Sequence, residues 1–388
     1  MIKRVSERIL IVYLKTGGGH ISAARALASA LEERPGTQAV LCNPIQDAQR
    51  FTRFCVVKSY NYMASKGRFL WPAFYLASAW SPLLTLSEFL FSRSVYRQIA
   101  HAVYEHQITR IVVVHFMCRR PVRMALQRIG ANHIPVIQVV TDPYTAHRAW
   151  FHRMRYQCVV FSSRVYNFAT HVCGVDAHRI VRFPVVLRKQ FQTPLDAGTI
   201  VDLKKRFGFD PEKRMVLVAA GGEGLSNGSR VLEALVYSDA DYEIAVVCGN
   251  STSFQAEAAR IARKNPNRRV AVYGFTEHMY ELMNMADLVI GKAGPATVME
   301  VLILQKPLVL TSYMFGQEKG NVEFVVRNRL GFFARSPEGI RAIVDRILTS
   351  PLQQRELQKR IAAMEIKNGT DPIARYILGY SSDTPRAV

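Results

Sequence analysis

The sequence predicts an α/β chain built from two doubly wound domains, each a parallel sheet covered by helices on both faces. Three observations carry this. Short β-branched runs alternate with helix-length amphipathic stretches, from RILIVYL near the start through RIVVVHF, PVIQVVT, QCVVFSS, RMVLVAAGG, EIAVVCGN, VAVYGF and DLVIGKAG to KPLVLTS; this alternation is the pattern of βαβ units. The runs are continuously apolar, as strands buried on both faces require. The pattern also lapses after Val186 into a Pro-, Lys- and Arg-rich stretch and restarts at Arg214, which places the boundary at about 187–200. The expected units are 1–190 and 200–365, followed by a tail, 366–388, whose DPIARYILGY reads as an amphipathic helix.

Charge is distributed unevenly. Of the formal net charge of +21, residues 1–200 supply 26 Lys and Arg against 9 Asp and Glu. The second half is nearly balanced, so the basic field belongs to the first domain and attracts polyanions: nucleic acid, anionic lipid headgroups or nucleotides. No nucleic-acid recognition motif appears and the charges alternate with apolar helix faces, so nucleic acid is not an expected partner. No run of 18 or more uncharged apolar residues stands out, which predicts no spanning helix. The charged start MIKRVSERIL leads straight into a strand and does not read as a signal peptide. The six cysteines are scattered without a CxxC pair, so neither disulfides nor a zinc site is expected and a reducing compartment fits.

Residues 50–107 interrupt the strand–helix rhythm with two of the three tryptophans, many other aromatics and interspersed basic residues. One reading is a pair of core helices. The other is a helical insertion that meets a membrane surface, since Trp and Tyr favour the headgroup layer and Lys and Arg favour anionic lipid.

Four motifs carry chemistry. KTGGGH places Gly17, Gly18 and Gly19 in a turn before a helix expected from about Ile21, where free N–H groups suit an anion. It is neither GxGxxG nor a P-loop. His20 suits a general base, its ordinary pKa lying near neutrality, or else caps and packs beside the helix. VVTDPYTAHRAWFH puts Asp142 at the end of a strand, with His147 and Trp150 following at helical spacing; Asp142 either orients a histidine or caps a helix. VAAGGEGLSNG is a second glycine turn, with Gly221, Gly222 and Gly224, in the second domain. The most informative stretch runs from GKAGPATVME to GQEKGN. Gly294 and Pro295 start a helix that suits a pyrophosphate, with Thr297 and Glu300 on one face. Glu300 can accept two hydrogen bonds from a ribose diol, and Gln317, Glu318 and Asn321 offer donors and acceptors to a sugar.

Together, GGGH, TDxxxxHxxW, GPATVME and GQEKGN resemble family 28 glycosyltransferases, in particular the branch of monogalactosyldiacylglycerol synthases and bacterial diacylglycerol glucosyltransferases, over about residues 8–335. The resemblance implies the GT-B fold, two Rossmann-like domains facing across a cleft. It implies lipid acceptor and membrane at the first domain, UDP-hexose at the second, and a final helix crossing back to the first. It assigns Glu300 to the ribose and Gly294 and Thr297 to the diphosphate. Gln317, Glu318 and Asn321 fall to the hexose, Phe275 of the YGF motif to uracil, and Gly221 and Gly222 to close approach of the phosphates. His20 matches the group that activates the acceptor hydroxyl, with Asp142 facing it; Gly17, Gly18, Gly19, His147 and Trp150 fall on the acceptor side.

The expected reaction is an inverting, metal-independent transfer of glucose or galactose from a UDP-sugar to diacylglycerol, with no cofactor beyond the co-substrate. It would take place at an anionic membrane surface, peripherally and on the cytoplasmic side. A different lipid-linked acceptor such as a polyprenyl-linked sugar, or a UDP-sugar epimerase, are the alternatives. Two departures from the family pattern stand out: Lys15 replaces an acidic residue of the plant enzymes, and Pro295 stands where glycine is expected, a position where proline suits a helix's first turn.

Overall fold

The computed structural model describes residues 6–15, 18–46, 72, 75, 81–222, 224–225 and 227–380. Gly17, most of the aromatic segment up to residue 80 and the last eight residues lie outside the described residues, and with them Trp71 and Trp80 of the membrane-facing reading. The chain divides into two compact units. Unit 1 comprises Met1–Lys189, Phe315–Gln317 and Asn368–Val388; unit 2 comprises Gln190–Met314 and Glu318–Lys367.

Unit 1 holds a six-stranded parallel sheet of β1 (Glu7–Val12), β2 (Thr37–Cys42), β3 (Arg110–Val113), β4 (Val136–Val139), β5 (Gln157–Val160) and β6 (Ile180–Arg182), in the order β2-β1-β3-β4-β5-β6. Among the described residues its helices include α1 (Gly18–Glu32), α2 (Ser81–Glu105), α3 (Arg119–Arg128) and α4 (Ser163–Asn167). β1 shows why its run is apolar throughout. Ile9 and Ile11 pack with α1, whereas Leu10 and Val12 pack on the opposite face with Val95 and Ile99 of α2 and Val122 of α3. All four are fully buried, each such side chain contributing about 1.5–3 kcal/mol of transfer free energy.

Unit 2 repeats the plan with β7 (Arg214–Ala219), β8 (Tyr242–Val247), β9 (Val270–Tyr273), β10 (Leu288–Lys292), β11 (Leu308–Ser312) and β12 (Gly331–Phe333), in the order β12-β11-β10-β7-β8-β9, again parallel. Its helices are α5 (Ala197–Arg206), α6 (Gly228–Val236), α7 (Thr252–Lys264), α8 (Met279–Met285), α9 (Pro295–Ile303), α10 (Lys319–Arg327), α11 (Pro337–Leu348) and α12 (Pro351–Ala363). Local chemistry fixes the helix starts. Asp196 accepts from the Thr199 N–H, and Ser336 and Ser350 each accept from the backbone N–H three residues on, with proline immediately following each serine.

The last helix, α13 (Thr370–Gly379), belongs to unit 1. Ile373, Ala374 and Ile377 join the cluster of Ile9, Ala23 and Leu27. Its entry is tightly held: the Gly369 N–H donates to the Val185 carbonyl at 2.8 Å, the Thr370 hydroxyl to the Leu187 carbonyl at 2.7 Å, and the Asn368 amide to Leu187 and Arg188 carbonyls. A side chain at Gly369 would overlap the Pro184 backbone, so glycine is required there for space.

Sequence and structure differ at three places. The helix expected from about Ile21 begins at Gly18, so Gly18, Gly19 and His20 form its first turn; glycine is tolerated there because the first turn makes few intrahelical bonds. His147 and Trp150 do not sit on a helix proper: His147 caps, and Trp150 ends, a single 3₁₀ turn, Arg148–Trp150. The strands β2, β6 and β12 are not among the apolar runs read as strands from the sequence, and all three lie at sheet edges. Among the described residues no helix is long and apolar enough to cross a membrane.

Candidate active site

In open α/β sheets, ligands gather at the carboxyl ends of the strands where the strand order reverses. In unit 1 the chain runs from β1 out to β2 and then returns to β3 on the other side of β1, so the switch point lies between β1 and β3. His20 follows β1 and His115 follows β3, and the two rings meet edge to face with centroids 4.5 Å apart. The neighbouring strand β4 delivers Thr141 and Asp142, both buried.

The hydrogen bonds define the state of His20. Its Nδ1 lies 3.0 Å from the Val114 carbonyl oxygen and 2.9 Å from the Thr141 hydroxyl. A carbonyl only accepts, so Nδ1 carries the hydrogen and the lone pair of the neutral ring sits on Nε2. Burial pushes the His20 pKa down to about 4, against a smaller opposing effect of the Val114 carbonyl. The ring is therefore neutral at physiological pH and able to take a proton. His115 is also held well below the ordinary range, by burial and by His20. Its Nδ1 accepts from the Met117 N–H at 3.2 Å, capping a short turn.

The other residues expected on the acceptor side lie close by. Trp150 is fully buried, and its indole N–H donates to Asp142 Oδ2 at 2.7 Å. Asp142 therefore anchors the indole and does not cap a helix. His147 uses both ring nitrogens on backbone: Nδ1 accepts from the Ala149 N–H at 3.1 Å and Nε2 donates to the Tyr75 carbonyl at 3.2 Å. Tyr75 packs edge to face on His147, and burial, with the nearby Asp142 charge, raises its phenol above the usual range. Lys15 is exposed at the end of the β1 loop.

In unit 2 the order reverses between β7 and β10. The turn after β7 contains Gly221 (φ +72°) and Gly224 (φ +82°) in the left-handed region that favours glycine. The Gly222 carbonyl accepts from the Asn250 N–H at 3.0 Å. Side chains added at Gly221 or Gly222 would meet open space, so this backbone presents a bare face.

Across the switch point, Gly294 precedes α9 with Pro295 at its first position and no side-chain cap, which leaves the first-turn N–H groups for an anion. Around Gly294 converge the Lys292 stem, the Thr297 hydroxyl and a carboxylate oxygen of Glu318. Glu318 is buried; its Oε1 pairs with Lys292 Nζ at 2.9 Å and its Oε2 accepts from the Met314 N–H at 2.6 Å. Asn321, also fully buried, donates to the Ala293 carbonyl at 2.8 Å, while its Oδ1 has no partner among the described residues.

Gly294, Thr297 and Glu318 are thus brought together. Glu300 is buried one turn further along α9, Gln317 is half-buried, and Phe275 is 69% exposed after the edge strand β9. Sequence reasoning missed His115, Lys292 and Tyr75. The first two are the polar residues that end or directly follow the apolar runs IVVV and LVIG; asking which polar side chain closes each strand would have found them.

Comparison with solved structures places the fold. The chain superposes on the Acinetobacter baumannii MurG structure with a TM-score of 0.62 at 16% identity, covering 96% of this chain and 100% of that one. It matches the lipopolysaccharide glycosyltransferase WaaG at 0.59 and 14% identity, covering 96% and 100%. The fold is therefore that of the GT-B proteins. Residues 20–185 match the family model for monogalactosyldiacylglycerol (MGDG) synthase and residues 215–371 that for the glycosyltransferase family 28 C-terminal domain, so the chain is similar to these families along most of its length. It is 30% identical over 352 residues to monogalactosyldiacylglycerol synthase 1, chloroplastic, of Arabidopsis thaliana, covering 87% of this chain and 64% of that relative. It is likewise 30% identical over 346 residues to the Spinacia oleracea synthase, covering 86% and 65%. The chain thus spans a little under two thirds of the length of these relatives.

Proposed function

We propose that the protein transfers a galactosyl residue from UDP-galactose to the free hydroxyl of diacylglycerol at a membrane surface, with inversion at the anomeric carbon. The observation that carries this reading is the match of residues 20–185 to the MGDG synthase model, a region that begins at His20. The relatives' names favour galactose over glucose.

In this reading unit 2 holds the donor. The bare backbone at Gly221 and Gly222 and the uncapped first turn of α9 meet the diphosphate, joined by the Thr297 hydroxyl. Glu300 takes the ribose diol and Phe275 lies against uracil. Lys292 and the Met314 N–H hold the Glu318 carboxylate in place for the hexose hydroxyls, with Asn321 beside it and Gln317 next to it in the chain.

Unit 1 supplies the acceptor site and the base. The acceptor oxygen attacks the anomeric carbon as the bond from that carbon to the β-phosphate oxygen breaks. UDP leaves with the electron pair, and the hydroxyl proton passes to Nε2 of His20. The Val114 carbonyl, bonded to Nδ1–H, stabilises the imidazolium that forms. Asp142 acts at one remove by fixing Trp150 against the imidazole. The basic first half draws the protein to anionic membrane, where it binds peripherally on the cytoplasmic side.

Incubation with diacylglycerol vesicles and UDP-galactose or UDP-glucose, followed by mass spectrometry and proton NMR of the lipid, tests this. A β-linked monohexosyl diacylglycerol is expected from the α-linked donor. An α-linked product would refute the single displacement, and absence of any hexosyl lipid with either donor would refute the function.

A further inference from the structure

On unit 1, α2, α3 and the segment leading into β5 enclose a cavity of about 260 Å³. Its lining includes Arg119, Arg120, Arg123, Arg153 and Arg155 against a single carboxylate, Glu88. Arg119 and Glu88 are both buried and pair at 3.0 Å, cancelling each other. Arg119 is further spent on the Phe116 and His152 carbonyls. Arg120 is fixed by the Thr85 carbonyl at 3.0 Å and lies 5.1 Å over the Phe89 ring, contacts that orient the guanidinium without neutralising it. Arg123, Arg153 and Arg155 have no carboxylate partner among the described residues. Four uncompensated guanidinium groups therefore share one hollow.

A second observation is independent of charge. The Tyr156 hydroxyl, which also lines the hollow, is buried and has no hydrogen-bond partner among the described residues. Leaving a buried polar group unpaired costs about 1–3 kcal/mol. Burial pushes this phenol up to about 12, so it remains a donor at neutral pH. An idle donor beside four planar forks is the arrangement that recognises phosphate oxygens, which guanidinium groups bind two at a time. Size narrows the ligand. At about 260 Å³ the hollow has more room than one phosphate group fills, and four positive charges match a tri- or tetra-anion.

We propose that this cavity is a binding site for an oligophosphate, a chain of two or three linked phosphate groups. The assignment is independent of the transfer reaction.

The test is calorimetric titration of the full chain with tripolyphosphate, with UDP present to occupy the nucleotide site. Orthophosphate and phosphatidylglycerol vesicles serve as separate titrants. Wild type should bind tripolyphosphate at one site, at least tenfold more tightly than orthophosphate. R123A/R155A should weaken tripolyphosphate at least tenfold and Y156F severalfold, with UDP binding unchanged. Should the double variant lose its melting transition, R155Q alone, at an exposed position, carries the charge test and should weaken binding severalfold. Equal tripolyphosphate affinity in wild type and variants would overturn the proposal, as would equal affinity for orthophosphate. It would also be overturned if the substitutions abolished vesicle binding and left tripolyphosphate binding intact, which would make this face a membrane contact.

Discussion

In the proposed transfer His20 is the base, and its hydrogen bonds specify its state. With Nδ1 committed to Val114 and Thr141, only Nε2 is left basic. His20→Ala should lower kcat by about 10²–10⁴-fold with a much smaller change in KM, the range expected when a positioned base is removed; steady-state rates with saturating donor check this, and an unchanged kcat contradicts it. The same burial has a consequence for stability. The His20 pKa falls from an ordinary 6.5 to about 4 on folding, so between those values the unfolded chain binds a proton that the folded chain does not. This contribution is fully present above pH 6.5 and is lost as pH falls toward 4, with His115 acting in the same direction. Denaturant midpoints should drop over that window, and more shallowly for His20→Phe. Lys292 offers a second test: Lys292→Met frees the buried Glu318 carboxylate from its cation. Donor KM should rise about tenfold, the low end for a charge-assisted bond because Lys292 is partly exposed; a donor KM equal to wild type would show that the pair does not hold Glu318 for the sugar.

At the scale of elements, legibility followed burial. Strands such as ILIV at 9–12 and VLVA at 216–219 are buried on both faces and read directly as apolar runs. β2, with exposed Gln38 and Leu41 and half-exposed Ala39 and Val40, and the three-residue β6 and β12 are too exposed or too short to stand out as buried runs, although the edge strand β9 does read as one. The glycine turns and the α9 start were legible because their backbone demands are written in Gly and Pro. The Lys292–Glu318 pair and the His20–His115 contact were not, since each joins residues far apart in sequence whose meeting depends on strand order. The docking of α13 rests on a spatial constraint at Gly369 that no periodicity announces. Gly369→Ala, whose methyl would strike the Pro184 backbone, should destabilise unit 1 by about 1–3 kcal/mol as overpacking does. Denaturant unfolding of the full chain measures it; an unchanged midpoint would mean that the segment shifts freely.

For the whole molecule, the asymmetry of charge is the property the composition announced. With 26 Lys and Arg in residues 1–200 against 9 acidic residues, binding to phosphatidylglycerol vesicles should weaken steeply between low and physiological ionic strength, because attraction beyond roughly 8–10 Å is screened there. Vesicle co-sedimentation at several salt concentrations tests it, and salt-independent binding would point to apolar insertion instead. The central claim, that the two switch-point sites serve one galactosyl transfer, is tested most directly by initial rates of radiolabelled sugar transfer from UDP-galactose and UDP-glucose to diacylglycerol vesicles, for wild type and His20→Ala side by side. The account predicts label in monogalactosyl diacylglycerol, faster from UDP-galactose, and near-complete loss in the variant. Label that never enters lipid, or a variant as fast as wild type, would contradict it.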